Sequence, residues 1–267
     1  MRWFSLFRAS LIALTILAAT VPQLSRAVDS VRPQTVAPSN IVIGFVGGFV
    51  RHDNPTQGPV LFAQQIRRTF SKDTYVRVFE NRRRKQAYDA VLRLLDTNRD
   101  GVLSAEEKAR ARIILFGHSW GASAAVSLAR DLQRVGVPVM LTVQVDSVAK
   151  LWQNDSVIPA NVAEAVNFYQ PHGIIHGRPR ITAADPDRTA ILGNYLVDYR
   201  KNPVPCPGAS WADHVFIPDH MQSECDPHLW EQIETMVRDR LVRNPLAPSY
   251  ASSAASQPAS EAARPQH

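Results

Sequence analysis

The most informative segment of this chain is Arg112–Val126, which reads RIILFGHSWGASAAV. Its apolar start, Ile113–Phe116, contains β-branched residues and is typical of a buried strand. The Gly-x-Ser-x-Gly motif of Gly117–Gly121 follows directly, and the alanine-rich run after it predicts a helix. The small residues let strand and helix approach each other, and the sharp turn lifts the Ser119 hydroxyl above the sheet edge, near the positive end of the helix. The segment therefore predicts a nucleophilic serine above the sheet edge.

Strand-like and helix-like segments alternate on both sides of this unit. The other predicted strands are Ile41–Val46, Thr74–Phe79, Val139–Val145, Ala165–Tyr169, a strand-like stretch Ile191–Tyr199 and, last, Val215–Ile217. The other predicted helices start near Gly58, after an Asn81 N-cap, and after an Asp226 N-cap. This alternation predicts an α/β fold: a mostly parallel central sheet flanked by helices in a three-layer sandwich, with ligands at the carboxyl ends of the strands.

The motif in its strand-to-helix setting resembles the nucleophile elbow of the α/β-hydrolase superfamily, and the element order extends the resemblance over about residues 40–243. Serine is a weak nucleophile at neutral pH, so it needs a base within hydrogen-bond reach, and the base needs an orienting carboxylate. The resemblance implies that serine, acid and histidine follow each other in this order along the chain.

The acid and the base each have competing candidates. Asp146 ends the first strand after the elbow helix and is the preferred acid, with Asp185 and Asp198 as alternatives. The base is expected in the loop between the last strand and the last helix, where the superfamily keeps its histidine. His220 fits that position better than His214, which lies at or within the predicted strand.

Acyl transfer also needs preorganised N–H donors for the oxyanion. The resemblance implies that one donor is the backbone N–H of Trp120, the residue after the nucleophile. The turn Gly47–Phe49 resembles the glycine-rich oxyanion turn of the superfamily, although Val46 replaces the usual leading histidine. Either Gly48 or Phe49 would supply the second N–H.

Residues 96–107, DTNRDGVLSAEE, match the calcium loop of an EF-hand. The predicted ligands of this structural Ca²⁺ are Asp96, Asn98, Asp100, the Val102 carbonyl, Ser104 and Glu107. The loop stands alone, whereas regulatory EF-hands usually pair, so we expect a weak affinity on the order of 10⁻⁴ M. The ion would tie the preceding helix to the strand that carries Ser119; no organic cofactor is expected. The alternative is a solvated acidic turn without metal.

The N-terminus predicts export. Residues 1–27 combine a positive start with Arg2 and Arg8, an apolar run too short to span a membrane comfortably, and a small-x-small cleavage site. The alternative is an uncleaved membrane anchor. In an oxidising compartment, periplasmic or extracellular, the only two cysteines, Cys206 and Cys225, would form one disulfide. Closing that loop of about 20 residues would add about 3 kcal/mol to the free energy of unfolding in the chain-entropy model.

The remaining segments complete the domain organisation. Residues 28–40 form an extended lead-in, 41–243 the hydrolase domain, and 244–267 a disordered tail rich in Ala, Ser and Pro. Removing residues 1–27 takes away three arginines and no acidic residue, which lowers the net charge from +6 to +3. This modest excess does not indicate a nucleic-acid partner. Among the tryptophans, Trp152 and Trp211 either line an acyl pocket or pack in the core.

Together these features predict an exported serine hydrolase that cleaves a carboxylic ester, in a small-molecule or lipid substrate, through an acyl-enzyme. The alternatives are a thioesterase, amidase or peptidase on the same fold, or a non-catalytic calcium-dependent binding module. Membrane contact is expected only through an uncleaved N-terminus.

Overall fold

Six apolar segments pair as parallel strands in the computed structural model, which describes residues 38–207, 209, 215 and 217–242. They are β1 (Asn40–Val46), β2 (Thr74–Glu80), β3 (Ile113–His118), β4 (Val139–Val145), β6 (Val162–Tyr169) and β8 (Ala190–Leu196). Their order across the sheet is β2-β1-β3-β4-β6-β8. Two short strands, β5 (Val157–Ile158) and β7 (Thr182–Ala183), form a separate parallel pair. Because all six strands run in one direction, their carboxyl ends share one edge of the sheet.

Helices cover both faces of the sheet. They are α1 (Gly58–Thr69), α2 (Arg84–Leu95), the short α3 (Ala105–Ala109), α4 (Trp120–Arg134), α5 (Pro218–Cys225) and α6 (Pro227–Val242). Alternate residues of β1 point to opposite faces. Ile43 and Phe45 belong to the buried cluster with α2 and α4, whereas Val42 and Val46 belong to the cluster with α1 and α6. The predicted three-layer α/β sandwich with a parallel central sheet is therefore confirmed.

Local sequence signals account for several helix ends. Pro59 stands in the first turn of α1, where its missing N–H costs nothing. Gly136 follows α4 with φ of 71°, the left-handed conformation expected of a glycine after a helix. The Asp226 carboxylate accepts the backbone N–H groups of His228 and Leu229 at 2.9 and 3.2 Å, so the predicted N-cap of α6 is present.

Two predictions of secondary structure are wrong. Asn81 does not cap the helix after β2: it begins a 3₁₀ turn, Asn81–Arg83, and its side chain makes no cap hydrogen bond. The expected last strand, Val215–Ile217, is not found either, since Val215 is helical and Ile217 lies in a bend just before α5. The β-branched residues there favour a strand locally, but β8 is the edge strand of the described sheet.

Several predicted segments fall outside the described residues: the export signal 1–27, the lead-in through residue 37, the tail 244–267, and the side chains of Trp211 and His214. Within the described part of the chain, no helix combines the length and the apolar character that a membrane crossing requires.

Candidate active site

The turn between β3 and α4 holds Ser119 in a strained backbone conformation. Its φ and ψ are 56° and −129°, in a region that residues with a side chain rarely adopt. Both motif glycines are sterically required: a Cβ at Gly117 would lie 2.5 Å from the Gly121 backbone, and a Cβ at Gly121 would overlap the Phe45 carbonyl. The Ser119 N–H donates to the Val145 carbonyl at 3.0 Å. The turn therefore lies between the ends of β1 and β4, at the carboxyl edge of the sheet.

Asp146 and His220 form a buried hydrogen-bonded pair. His220 Nδ1 lies 2.6 Å from Asp146 Oδ2, and the two residues are 4% and 0% exposed. Asp146 directly follows β4 and also accepts hydrogen bonds from Gln170 Nε2 at 2.9 Å and from the N–H of Gly177. These extra donors fix the carboxylate, which in turn fixes the orientation of the imidazole.

His220 lies in α5, not in the loop where the resemblance places it. Its ring packs against the ring of His118, the residue before Ser119, with centroids 4.7 Å apart. The pair Asp146–His220 therefore lies beside the elbow. Burial lowers the pKa of His220; the hydrogen bond that its Nδ1–H donates to Asp146 opposes this shift, and the nearby His118 adds to it. An imidazole that stays neutral near pH 7 is suited to accept a proton.

The Ser119 hydroxyl makes no hydrogen bond with the residues that the structure describes, although the residue is only 8% exposed. Serine–histidine contacts are often longer in a free enzyme than in its substrate complex. The structure thus brings Asp146 and His220 together and places Ser119 next to them without a closed serine–histidine hydrogen bond.

The competing acids have other partners. Asp185 accepts the backbone N–H of Asp187 in its own turn. Asp198 lies near Lys201 and His172, at 3.3 and 3.8 Å. Burial raises the pKa of Asp198, but hydrogen bonds with Lys201 outweigh this and hold it below its ordinary value.

The candidate oxyanion donors also lie together. Trp120 is the first residue of α4, so its N–H has no intrahelical acceptor. Among the described residues, neither Gly48 nor Phe49 donates its backbone N–H to another residue. The Phe49 ring meets the Trp120 ring edge-on, with centroids 5.5 Å apart. A Cβ at Gly47 would lie 2.9 Å from the Ser119 Cβ, so the turn after β1 abuts the serine.

Asn81 and Lys150 support this turn, and sequence reasoning missed both roles. Asn81 Nδ2 donates to the carbonyls of Val46 and Gly48 at 3.2 and 2.6 Å, and its Oδ1 accepts from Lys150 Nζ at 2.5 Å. Lys150 Nζ also lies 4.9 Å from the centre of the Trp120 ring. Burial lowers the pKa of Lys150. The only sequence signal was an asparagine directly after a strand, which reads equally well as a helix cap.

Exposed apolar side chains project from loops that follow the strands. They are Phe49, Leu151, Trp152 and Ile174, with exposed fractions of 83%, 85%, 100% and 84%. Trp152 therefore does not pack in the core. These loops follow β1, β4 and β6, whose carboxyl ends share the sheet edge with Ser119. These four side chains, the apolar rim, thus extend from the sheet edge that also carries Ser119.

The predicted calcium loop is held by its own hydrogen bonds. Asp96 Oδ2 accepts the N–H of Gly101 at 3.0 Å, and the Glu107 carboxylate accepts the N–H groups of Thr97 and Ser104 at 2.7 and 3.0 Å. The Ser104 N–H, followed by the Thr97 donors, lowers the pKa of Glu107 to about 2. In the described part of the chain, no three acidic, histidine or cysteine side chains converge as metal ligands. The donor set is nevertheless all oxygen, as Ca²⁺ prefers.

The two cysteines form the expected disulfide, Cys206–Cys225. Cys225 is the last residue of α5, five positions after His220 on the same helix. The bridge joins this helix to the segment that follows β8, so it restrains the element that carries the candidate base.

No protein-family model and no curated protein matches the chain. Among solved structures, it is similar to a cutinase-like protein from Cryptococcus sp., with 13% identity and a TM-score of 0.39 over 77% of this chain and 97% of that one. It is also similar to a protein from Xanthomonas campestris pv. campestris assigned to hydrolases of the alpha/beta superfamily (14% identity, TM-score 0.34, 73% and 99% covered). A third is an acetyl xylan esterase (12% identity, TM-score 0.34, 76% and 99% covered). These likenesses are remote, and the fold class rests on the sheet topology itself.

Proposed function

We propose that this chain is a serine hydrolase that cleaves carboxylic esters through an acyl-enzyme. Ser119 is the nucleophile, His220 the general base and Asp146 the residue that orients the imidazole. The N–H of Trp120 and one N–H of the turn after β1, from Gly48 or Phe49, would bind the oxyanion.

The chemistry takes two matched steps. In the first, Ser119 Oγ attacks the ester carbonyl carbon while its proton passes to His220; collapse of the tetrahedral intermediate releases the alcohol, which takes that proton. In the second, a water molecule gives a proton to His220 and attacks the acyl-enzyme; collapse of the new tetrahedral intermediate releases the carboxylic acid, and His220 returns the proton to Ser119 Oγ. The imidazolium formed in each step is stabilised by the buried Asp146 carboxylate.

One observation carries this proposal: a serine in a strained backbone conformation directly follows His118, whose ring packs against a buried imidazole that a carboxylate holds. A non-catalytic domain would gain nothing from that strain, which costs on the order of 1–3 kcal/mol. The apolar rim favours a substrate with an apolar acyl or alcohol group, as in a small aryl or lipid ester.

Fluorophosphonate labelling tests the proposal, because only an activated serine reacts with the probe. We expect the wild-type protein to be labelled and Ser119→Ala not to be. A panel of p-nitrophenyl esters with graded acyl chains then measures kcat/KM. Labelling without ester turnover would favour the thioesterase, amidase or peptidase alternative. An unlabelled, folded wild-type protein would leave only the binding module.

We also propose that the loop Asp96–Glu107 binds a structural Ca²⁺. Its side-chain oxygens and the Val102 carbonyl would hold the ion, which would brace the connection between α2 and β3. Calorimetry on chelator-treated protein should detect Ca²⁺ binding in the wild type and not in Asp96→Ala. The absence of heat from the wild type would refute the site, whether or not the protein is a hydrolase.

Export is the third part of the proposal, and the disulfide supports it because such bonds persist in oxidising compartments. N-terminal sequencing of the protein from its native compartment should find Val28 as the first residue. An unprocessed N-terminus would indicate the anchor alternative.

A further inference from the structure

Beside the Asp146–His220 pair lies a second buried pair of a histidine and a carboxylate. His118 ends β3 directly before Ser119 and is 2% exposed. Its Nδ1 is in contact with a carboxylate oxygen of Glu224, a residue of α5 that is 3% exposed. The other oxygen of Glu224 accepts the N–H of Gly58 at 3.1 Å, at the start of α1. The pair therefore lies among three elements: the elbow strand, the helix that carries the candidate base, and α1.

Acceptor atoms lie next to both ring nitrogens of His118; on the Nδ1 side the Glu224 carboxylate makes an ion-pair contact rather than a hydrogen bond of normal geometry. On the Nε2 side, the acceptors are the His220 carbonyl at 3.3 Å and Ser223 Oγ at 3.1 Å. Ser223 Oγ donates its own proton to the His220 carbonyl at 2.8 Å, so it offers His118 a lone pair. Both ring nitrogens of His118 thus face acceptors, and a neutral imidazole has only one N–H to give. The arrangement is satisfied by the imidazolium, with Glu224 as its counter-ion.

The pKa of His118 agrees with this geometry. Burial alone lowers it, but the charge of Glu224 and the hydrogen bond to it more than compensate, so the pKa lies above its ordinary value. The imidazolium then faces the His220 ring, with centroids 4.7 Å apart.

We propose that His118, held as an imidazolium by Glu224, is a positioning residue for His220: it fixes the turn of α5 that carries the base and keeps the base unprotonated into mildly acidic solution. This inference rests on the proposed function for its catalytic consequence, while the charge state of His118 stands on the contacts alone.

Other charged groups around His220 do not replace this effect. Asp146 and Glu224 are anionic and favour the protonated ring. On its own helix, Asp219 lies 3.8 Å from Arg200. The hydroxyl of the buried Tyr199 donates to Asp226 at 3.1 Å, and its pKa is raised far above the physiological range, chiefly by burial, so it stays neutral. Of the described groups that face His220, His118 is the cation in ring contact with it.

The kinetic experiment compares two variants in the full chain. His118→Gln removes the cation and keeps a side chain that can donate a hydrogen bond. The matched control, Ser223→Ala, removes the hydroxyl that contacts both the His220 carbonyl and His118 Nε2, but it leaves the Glu224 counter-ion and the His220 carbonyl as acceptors for His118. We expect the acidic limb of the kcat/KM–pH profile to move up by about one pH unit in His118→Gln. In Ser223→Ala the rate should fall with the limb unmoved.

A titration followed by NMR of ¹⁵N-labelled histidine tests the charge state in the wild-type protein without relying on activity. His220→Gln and His118→Gln identify the two signals among the eight histidines. We expect both nitrogens of His118 to stay protonated above pH 6.5, the ordinary value, and His220 to titrate below it.

The outcomes separate this inference from the proposed function. A His118 that loses its proton below pH 6.5, or an acidic limb that does not move in a folded His118→Gln, overturns the inference while the hydrolase proposal stands. A wild-type protein that neither labels nor turns over esters refutes the hydrolase, and the NMR titration still decides the charge state of His118.

Discussion

Replacing Ser119 by glycine should abolish activity and stabilise the fold. The backbone at this position has φ of 56° and ψ of −129°, which glycine adopts readily and serine does not. The Ser119 hydroxyl makes no hydrogen bond within the described structure, so its loss removes little. The matched control is Ser119→Ala, which is equally inactive but keeps a Cβ and therefore the strain.

The magnitude follows from two opposing effects. Releasing the backbone strain at residue 119 increases the free energy of unfolding by on the order of 1–3 kcal/mol. The greater freedom of glycine in the unfolded chain costs about 0.5–1 kcal/mol relative to alanine. We therefore expect Ser119→Gly to be more stable than Ser119→Ala by about 1 kcal/mol, which corresponds to a rise in Tm of roughly 2–4 °C for a domain of this size.

Differential scanning calorimetry of the two variants and the wild type measures this difference, with fluorophosphonate labelling to show that both variants are inactive. A Ser119→Gly protein that melts at or below the temperature of Ser119→Ala would show that the backbone at 119 carries no strain. The argument that the turn is built for catalysis would then lose its physical basis.

Three further changes test other parts of the structure. Asp146→Asn should lower kcat on the order of 10²–10⁴-fold with little change in KM, because an amide that donates a hydrogen bond no longer orients His220; steady-state ester hydrolysis measures this. Gly121→Ala should destabilise the fold by about 1–3 kcal/mol in urea denaturation, because its Cβ would overlap the Phe45 carbonyl. The third change concerns Glu107, whose pKa is lowered from 4.5 to about 2 in the fold. Its stabilisation is therefore complete above pH 4.5 and lost as the pH falls toward 2, so Glu107→Gln should flatten the stability–pH curve in that window.

The elbow and the sheet were predictable because their signals are local. A short apolar run followed by Gly-x-Ser-x-Gly defines a strand, a tight turn and a helix within 15 residues, and the helix after Asp226 follows from its own cap. The position of Asp146 was also predictable, since a carboxylate directly after a parallel strand must lie at the carboxyl edge of the sheet.

The supporting residues were not predictable, because their partners are distant in sequence. Asn81 was assigned as a helix cap, yet it binds the turn after β1 across a separation of 33 residues. His118 meets Ser223 across 105 residues. The segment before α5 contains β-branched residues that favour a strand locally, and only the structure shows that Val215 is helical and Ile217 lies in a bend.

The covalent link at the end of α5 has a practical consequence for anyone who produces this protein. In a reducing cytosol the sheet would still fold, because its apolar contacts do not need the disulfide. Without the Cys206–Cys225 bond, however, α5 would not be held to the segment that follows β8. Preparations from such a host would then contain well-folded molecules with low activity. Oxidative refolding or periplasmic expression would restore the activity.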